Sequence, residues 1–139
     1  MAGKNKFSIF YPRKESEAGN VGLFCDCFPP VMDGVSVCME NYAYWMQKKV
    51  GGVFVVTTNV PGADYSVHDY SVLDYFSFPI PRRPPYVTGI AELDPSFLTR
   101  ISKIRFKIVH AHCPFTSGMA AQRIARLQVR QEFGSPAAN

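Results

Sequence analysis

Two histidines and a cysteine end an apolar run in the segment Ile108-Val-His-Ala-His-Cys-Pro-Phe-Thr-Ser-Gly118. This run predicts a buried strand that ends near His112 and is followed by the start of a helix. In open α/β sheets, ligands bind beyond the carboxyl ends of the strands, and helix amino termini attract anions. His112 is therefore a candidate site residue. The alternative, that His110 and His112 only hydrogen-bond loop backbone, fits the pattern equally well.

Cysteine and histidine side chains also raise the question of a metal site. Cys25 and Cys27 end an early apolar run, and if the two runs are neighbouring strands, these thiols would lie near His110, His112 and Cys113. Thiolate and imidazole are zinc ligands, but the C-x-C and H-x-H-C spacings match no common zinc pattern. We therefore expect no metal, with zinc as the minor alternative. A Cys113 nucleophile beside His112 is less favoured still, because adjacent strand residues point to opposite faces.

The elements that position these residues alternate between strands and helices. Short apolar runs predict four strands, over residues 21–25, 53–57, 72–76 and 106–110. Helical spacing and capping residues predict helices over 35–49, from Asp94-Pro95 to about Lys103, and from a Ser117 cap to Glu132. Right-handed crossovers between parallel strands then give an α/β fold, a Rossmann-like, doubly wound parallel sheet in which strands one and four are neighbours.

Finer features of these elements can also be predicted. On the first helix the apolar positions fall at helical spacing, which predicts that they face the sheet; they are Val35, Cys38, Tyr42, Trp45 and Met46. On the last helix, the predicted apolar side is Ala121, Ile124, Ala125 and Leu127. The proline-dense stretch from Ile80 to Tyr86 predicts an extended loop without regular structure. Gly134-Ser-Pro136 is a typical helix exit, after which a fifth strand is expected, so the sequence has the features of a truncated domain.

Composition and charge exclude several classes of protein. A chain of 139 residues that is 47% apolar is one domain by size, and its net charge of +4 is scattered. No nucleic-acid-binding motif is present, so nucleic acid is not an expected partner. No run reaches the roughly 18 apolar residues of a membrane span, and the polar start lacks a signal-peptide core. We expect a cytoplasmic protein with reduced cysteines and, at most, peripheral contact with the inner face of the membrane.

Five segments in order resemble the amino-terminal domain of GT4-type, GT-B-fold glycosyltransferases. They are Val21-Gly-Leu-Phe-Cys-Asp-Cys-Phe-Pro-Pro-Val-Met-Asp-Gly-Val-Ser36, Gln47-Lys-Lys49, Val53-Phe-Val-Val-Thr57, Phe76-Ser-Phe-Pro-Ile-Pro81 and the His112 segment. The resemblance covers residues 20–134. The implied division is a polar leader, residues 1–20, that does not match the family, and a Rossmann-like domain over 21–139 from which the second, donor-binding domain is missing.

The resemblance implies roles for five residues. His112 would stand near the transferred sugar or the acceptor hydroxyl as the catalytic residue. Gly34 would let backbone approach the donor diphosphate. Asp26 would orient the acceptor, and Arg82 and Arg83 would contribute to acceptor binding or membrane contact. The structural alternatives are that Gly34 ends a loop, Asp26 caps a turn and the arginines lie in a solvated loop.

The function implied by the resemblance is hexose transfer, with retention, from a nucleotide sugar to a lipid or sugar hydroxyl. No cofactor is implied, since the nucleotide sugar is a substrate. Because the family binds that donor mostly through its second domain, this chain alone is expected to be inactive. The competing hypothesis is a non-catalytic module that binds a glycan, lipid or protein. An uncovered sheet edge also predicts self-association into a homo-oligomer.

Overall fold

The computed structural model describes residues 19–133, with burial given up to residue 131. The predicted polar leader, up to residue 18, and the predicted helix exit at residues 134–136 lie outside the described residues. Within residues 19–133, six strands and three helices follow in chain order: β1 (Asn20–Phe24), α1 (Gly34–Lys49), β2 (Val53–Thr58), β3 (Ser71–Tyr75), β4 (Ser77–Pro79), β5 (Val87–Gly89), α2 (Pro95–Ser102), β6 (Phe106–Ala111) and α3 (Thr116–Phe133). Single 3₁₀ turns lie at Tyr65–Val67 and Ala91–Leu93.

Four of the strands form one parallel sheet in the order β3-β2-β1-β6. Strand β1 pairs with β2 on one side and with β6 on the other, where Leu23 lies opposite His110. The prediction that the first and fourth predicted strands are neighbours is therefore confirmed by the pairing of β1 with β6. The Rossmann-like α/β fold is confirmed as well.

Helices cover both faces of this sheet because successive strand residues point in opposite directions. Val53 and Val55 of β2 pack with α1 in one core cluster, whereas Phe54 and Val56 pack with α2 and α3 in the other. Phe97 on α2 is fully buried in the second cluster. The two buried clusters make the sheet doubly wound.

The predicted buried face of α1 is wrong by part of a turn. Ser36, Met39 and Ala43 are the buried residues, while Tyr42 and Trp45 are 48% and 55% exposed. The predicted apolar residues and the residues that are buried both recur at helical spacing, so periodicity alone cannot decide which set faces the sheet. The small Ser36 and Ala43 side chains let the helix approach the bulky Val and Leu side chains of the sheet. Val35 and Met46 are only partly buried against the same cluster.

On α3 the prediction is partly correct. Ala121 and Ile124 are buried, but the buried stripe continues to Ala120, and Leu127 is 49% exposed.

The proline-dense stretch is the loop of a hairpin, which the sequence did not predict. Strands β4 and β5 pair antiparallel, with Ser77 opposite Gly89, and enclose residues 80–86. Pro79 fits at the end of a strand because its missing N–H is not needed there. A Cβ on Gly89 would lie 2.5 Å from the Phe76 carbonyl oxygen, so only glycine fits at this crossing.

Strand β6 is an edge of the described part of the sheet. Ile108 is 53% exposed, and Lys107, His110 and Ala111 are also exposed. In residues 19–133, no helix is long and apolar enough to cross a membrane.

Candidate functional site

The carboxyl ends of β1 and β6 meet at the point where the strand order reverses. From β1 the chain passes through α1 to β2 on one side, and β6 lies on the other side. In open α/β sheets the crevice outside this switch point is the usual ligand site. Asp26 and His112 follow these two strand ends, and Gly34 opens the helix that follows β1.

Asp26, which follows β1, is hydrogen-bonded to the start of α3. Its Oδ1 accepts hydrogen bonds from Thr116 Oγ1 (2.6 Å) and the Ser117 backbone N–H (3.0 Å), and its Oδ2 accepts one from Ser117 Oγ (2.8 Å). The prediction that Ser117 caps α3 is therefore wrong. Ser117 is a fully buried helical residue, and the capping carboxylate comes from 91 residues earlier in the chain.

The His112 backbone N–H is hydrogen-bonded to β1, whereas the imidazole ring makes only ring contacts with the described residues. Its N–H donates to the Phe24 carbonyl (2.9 Å), which extends the β1–β6 pairing by one residue. The ring lies edge-on to Tyr42 of α1, with centroids 6.1 Å apart, and 5.9 Å from the His110 ring. Among the described residues, the His112 imidazole has no hydrogen-bond partner. The half-buried side chain lines a cavity of about 480 Å³ together with Cys113, Gly118, Met119 and Gln122, among others.

Gly34 is the first residue of α1, and space lies open in front of it. A Cβ at this position would meet nothing within 4 Å. The capping residue before it, Asp33, accepts from the Ser36 backbone N–H at 2.8 Å. Burial raises the pKa of the Asp33 carboxyl, but hydrogen bonds from Ser36, Cys27 and Tyr86 outweigh it and leave the pKa below its ordinary value. A ligand phosphate approaching this helix end would meet the Asp33 carboxylate, which already caps the Ser36 backbone N–H.

The hairpin loop reaches this same edge through Tyr86. The Tyr86 hydroxyl hydrogen-bonds to the Asp33 carboxylate, whose charge raises the tyrosine pKa. Arg82 and Arg83 lie in the same loop with exposed side chains, and in residues 19–133 neither forms an ion pair. The structure therefore brings Tyr86 to the other candidate residues and leaves the two arginines facing solvent.

All four cysteines are free thiols, and burial favours the neutral form of Cys25, Cys27 and Cys113. Burial raises the pKa of Cys25 to about 12 and, together with the neighbouring Asp33, raises the pKa of Cys27 to about 12. Burial also raises the pKa of Cys113, which weakens it as a nucleophile. No cluster of three metal-ligating side chains occurs within the described range, so the zinc alternative has no ligand set there.

Sequence reasoning missed two tyrosines that connect these groups. Tyr86 contacts Asp33, and the buried Tyr75 hydroxyl lies 3.4 Å from Thr116 Oγ1, the same hydroxyl that donates to Asp26. Local sequence gave no signal for either contact, since both join elements that are distant in the chain.

Comparison with known proteins gives one informative similarity. Over 106 residues the chain is 23% identical to the alpha-monoglucosyldiacylglycerol synthase of Acholeplasma laidlawii. The chain is a distant homologue of a glycosyltransferase. The match covers 76% of this chain, which spans about a quarter (26%) of the relative's length. No family model matches the chain. No solved structure matches it either.

Proposed function

We propose that this chain is the acceptor-side domain of a retaining, GT4-type glycosyltransferase that moves a hexose from a nucleotide sugar to a lipid or sugar hydroxyl. The observation that carries the proposal is the His112 imidazole, which faces a cavity at the switch point without a partner among the described residues. The similarity to a glycolipid synthase supports this reaction class and favours a lipid acceptor.

The reaction exchanges one bond at the anomeric carbon for another. The acceptor hydroxyl oxygen bonds to that carbon, the bond from the carbon to the diphosphate oxygen breaks, and the hydroxyl proton leaves to a base or to the departing phosphate. His112 is proposed to hydrogen-bond the acceptor hydroxyl or the sugar while this occurs. Stabilising the charge that develops on the leaving diphosphate is the main electrostatic requirement.

The other residues have positioning roles in this proposal. Gly34 is proposed to let the backbone approach the donor diphosphate through the open space in front of it, although the neighbouring Asp33 carboxylate opposes an anion there. Asp26 acts on the acceptor side through α3, whose amino terminus it fixes beside His112. Arg82 and Arg83, both exposed, are proposed to contact anionic lipid headgroups and so hold the domain at the cytoplasmic face of the membrane.

A transfer assay tests the proposal. The protein, in the longest form that its reading frame encodes, is incubated with radiolabelled UDP- or GDP-linked hexoses and vesicles that contain diacylglycerol, or with soluble glycosides. We expect a labelled glycolipid or disaccharide with retained anomeric configuration. Binding of the lipid or glycoside without transfer from any donor would favour the non-catalytic binding module.

Calorimetry tests the proposed division of labour. The 139-residue chain should bind nucleotide sugar weakly, because most donor contacts are assigned to a second domain. Tight, stoichiometric binding by this chain would contradict that assignment.

A further inference from the structure

A second cavity, of about 480 Å³, lies at the carboxyl ends of β2 and β3, on the same sheet edge as His112. None of the residues around it is a predicted catalytic or binding residue. Its polar lining comes from the strand ends and the start of α2, and comprises Asn59, Asp74, Ser77, Asp94 and Arg100.

Hydrogen bonds to one another and to nearby backbone groups hold these polar side chains in place. Asn59 Nδ2 donates to Asp74 Oδ2. Arg100 Nη2 donates to the Asp74 carbonyl at 2.7 Å, and its Nη1 lies 3.6 Å from Asp74 Oδ1. Asp94 accepts from the Phe76 and Phe97 backbone N–H groups at 3.0 and 2.9 Å. Since side chains fixed in advance lose little conformational freedom on binding, the lining is preorganised for a ligand.

The charge of the lining argues against an anionic ligand. Two carboxylates, Asp74 and Asp94, face a single guanidinium, Arg100, which is already paired with Asp74. A phosphate in this cavity would meet net negative charge. Each carboxylate keeps acceptor capacity beyond the bonds it makes here, and the Asn59 amide keeps one N–H and its oxygen. The Ser77 hydroxyl donates to the Asn59 backbone carbonyl, so it can accept a hydrogen bond from a ligand. This set suits hydroxyl groups.

The rim of the cavity adds an apolar surface. Phe76 is 51% exposed and Leu93 is 63% exposed, and both line the cavity. An aromatic ring beside convergent polar groups is typical of small-molecule sites. A molecule with hydroxyls on one side and C–H groups on the other fits both surfaces.

The cavity is connected to the candidate site through β3. Tyr75 lines the cavity, and its hydroxyl reaches Thr116, which donates to Asp26. We propose that this cavity binds the neutral, hydroxyl-rich part of the acceptor. This inference rests on the proposed function and names the acceptor chemistry: a hexose ring or a glycerol headgroup, not a phosphate.

An NMR titration of the ¹⁵N-labelled 139-residue chain tests the proposal with three probes: methyl α-D-glucopyranoside, glycerol and inorganic phosphate. We expect one of the two polyols to shift the amide signals of residues 59, 74–77 and 93–95. Asn59→Ala and Phe76→Ala should each weaken that binding by about tenfold, since each removes one contact. Phe115→Ala, which truncates an exposed phenyl ring outside the cavity, is the matched control and should leave the affinity unchanged.

The three probes have distinct outcomes. A response to the glucoside identifies a sugar acceptor, and a response to glycerol alone identifies the glycerol headgroup of a lipid. Phosphate binding in the cavity, or no response to either polyol, would overturn the proposal. In that case, a retained transfer activity that depends on His112 would leave the proposed function standing. Polyol binding without any transfer would instead preserve the cavity assignment and contradict the enzyme.

Discussion

At the scale of single residues, the carboxyl edge of the sheet contains two polar side chains with different surroundings. The Asp26 carboxylate is hydrogen-bonded to the start of α3, whereas the His112 imidazole has no hydrogen-bond partner among the described residues. Asp26 makes three hydrogen bonds to Thr116 and Ser117, whereas the His112 ring makes only ring contacts with the described residues. The family resemblance implies a catalytic role for His112 and an acceptor-orienting role for Asp26. Their different surroundings give them different expected mutant phenotypes.

Replacing Asp26 by alanine should lower the stability of the fold. The change leaves the Ser117 backbone N–H and two hydroxyls without their acceptor at the start of α3, and loss of such a cap costs about 1 to 3 kcal/mol. Urea unfolding of the variant measures this loss. Asp69→Ala, which removes an exposed carboxylate elsewhere, should change the free energy of unfolding by less than about 0.5 kcal/mol. Equal stabilities for the two variants would show that the cap is dispensable.

The Cys27 thiol should react slowly with iodoacetamide, although it is only half-buried. Its pKa is raised from 9.0 to about 12, so the reactive thiolate at pH 8 is about a thousandfold scarcer than in the unfolded chain. Because the raised pKa favours the neutral Cys27 thiol, the thiolate fraction, and with it the rate of labelling, should increase as the pH rises toward 12. Mass spectrometry of native and guanidinium-unfolded protein measures both rates. Labelling of native Cys27 at the unfolded rate would show that the thiol is ionised.

At the scale of elements, the sequence predicted those strands and helices that carry a local signal. It did not predict features that depend on packing between segments distant in the chain. The β-branched run Val53–Thr58 and the Asp94-Pro95 helix start gave correct elements because each carries its own strand or capping signal. The buried face of α1 and the β4–β5 hairpin depend on what lies opposite them. The link from Asp26 to α3 spans 91 positions, which no local pattern encodes.

The β4–β5 loop should increase affinity for anionic lipid surfaces. Arg82 and Arg83 are exposed, and each basic residue near an anionic bilayer contributes about 1 kcal/mol. The double variant Arg82→Gln/Arg83→Gln should therefore bind vesicles rich in anionic lipid at least about tenfold more weakly in a sedimentation assay. Lys48→Gln/Lys49→Gln, at the far end of α1, is the charge-matched control. A larger effect from the control would move the membrane contact to that helix.

At the scale of the whole molecule, β6 is an edge strand of the described part of the sheet, and we expect this edge to promote self-association. Exposed strand edges pair with other edges, and the exposed Ile108 adds apolar surface. The purified 139-residue chain should self-associate with rising concentration in analytical ultracentrifugation. Ile108→Lys should shift it toward monomer, since a charge on an edge strand opposes pairing. A strictly monomeric wild-type chain at high concentration would contradict this expectation.

The distant homology, the switch-point cavity and the His112 imidazole support the proposal that this edge of the sheet takes part in glycosyl transfer. Its most direct test compares His112→Ala with His110→Ala in the transfer assay, with thermal unfolding of each variant. His110 is an exposed imidazole on β6, two residues before His112, and does not line the His112 cavity, so it is the matched control. The account predicts that His112→Ala lowers transfer by about 100-fold or more with little change in melting temperature, while His110→Ala stays near wild type. Wild-type transfer by His112→Ala together with a large loss of melting temperature would contradict it.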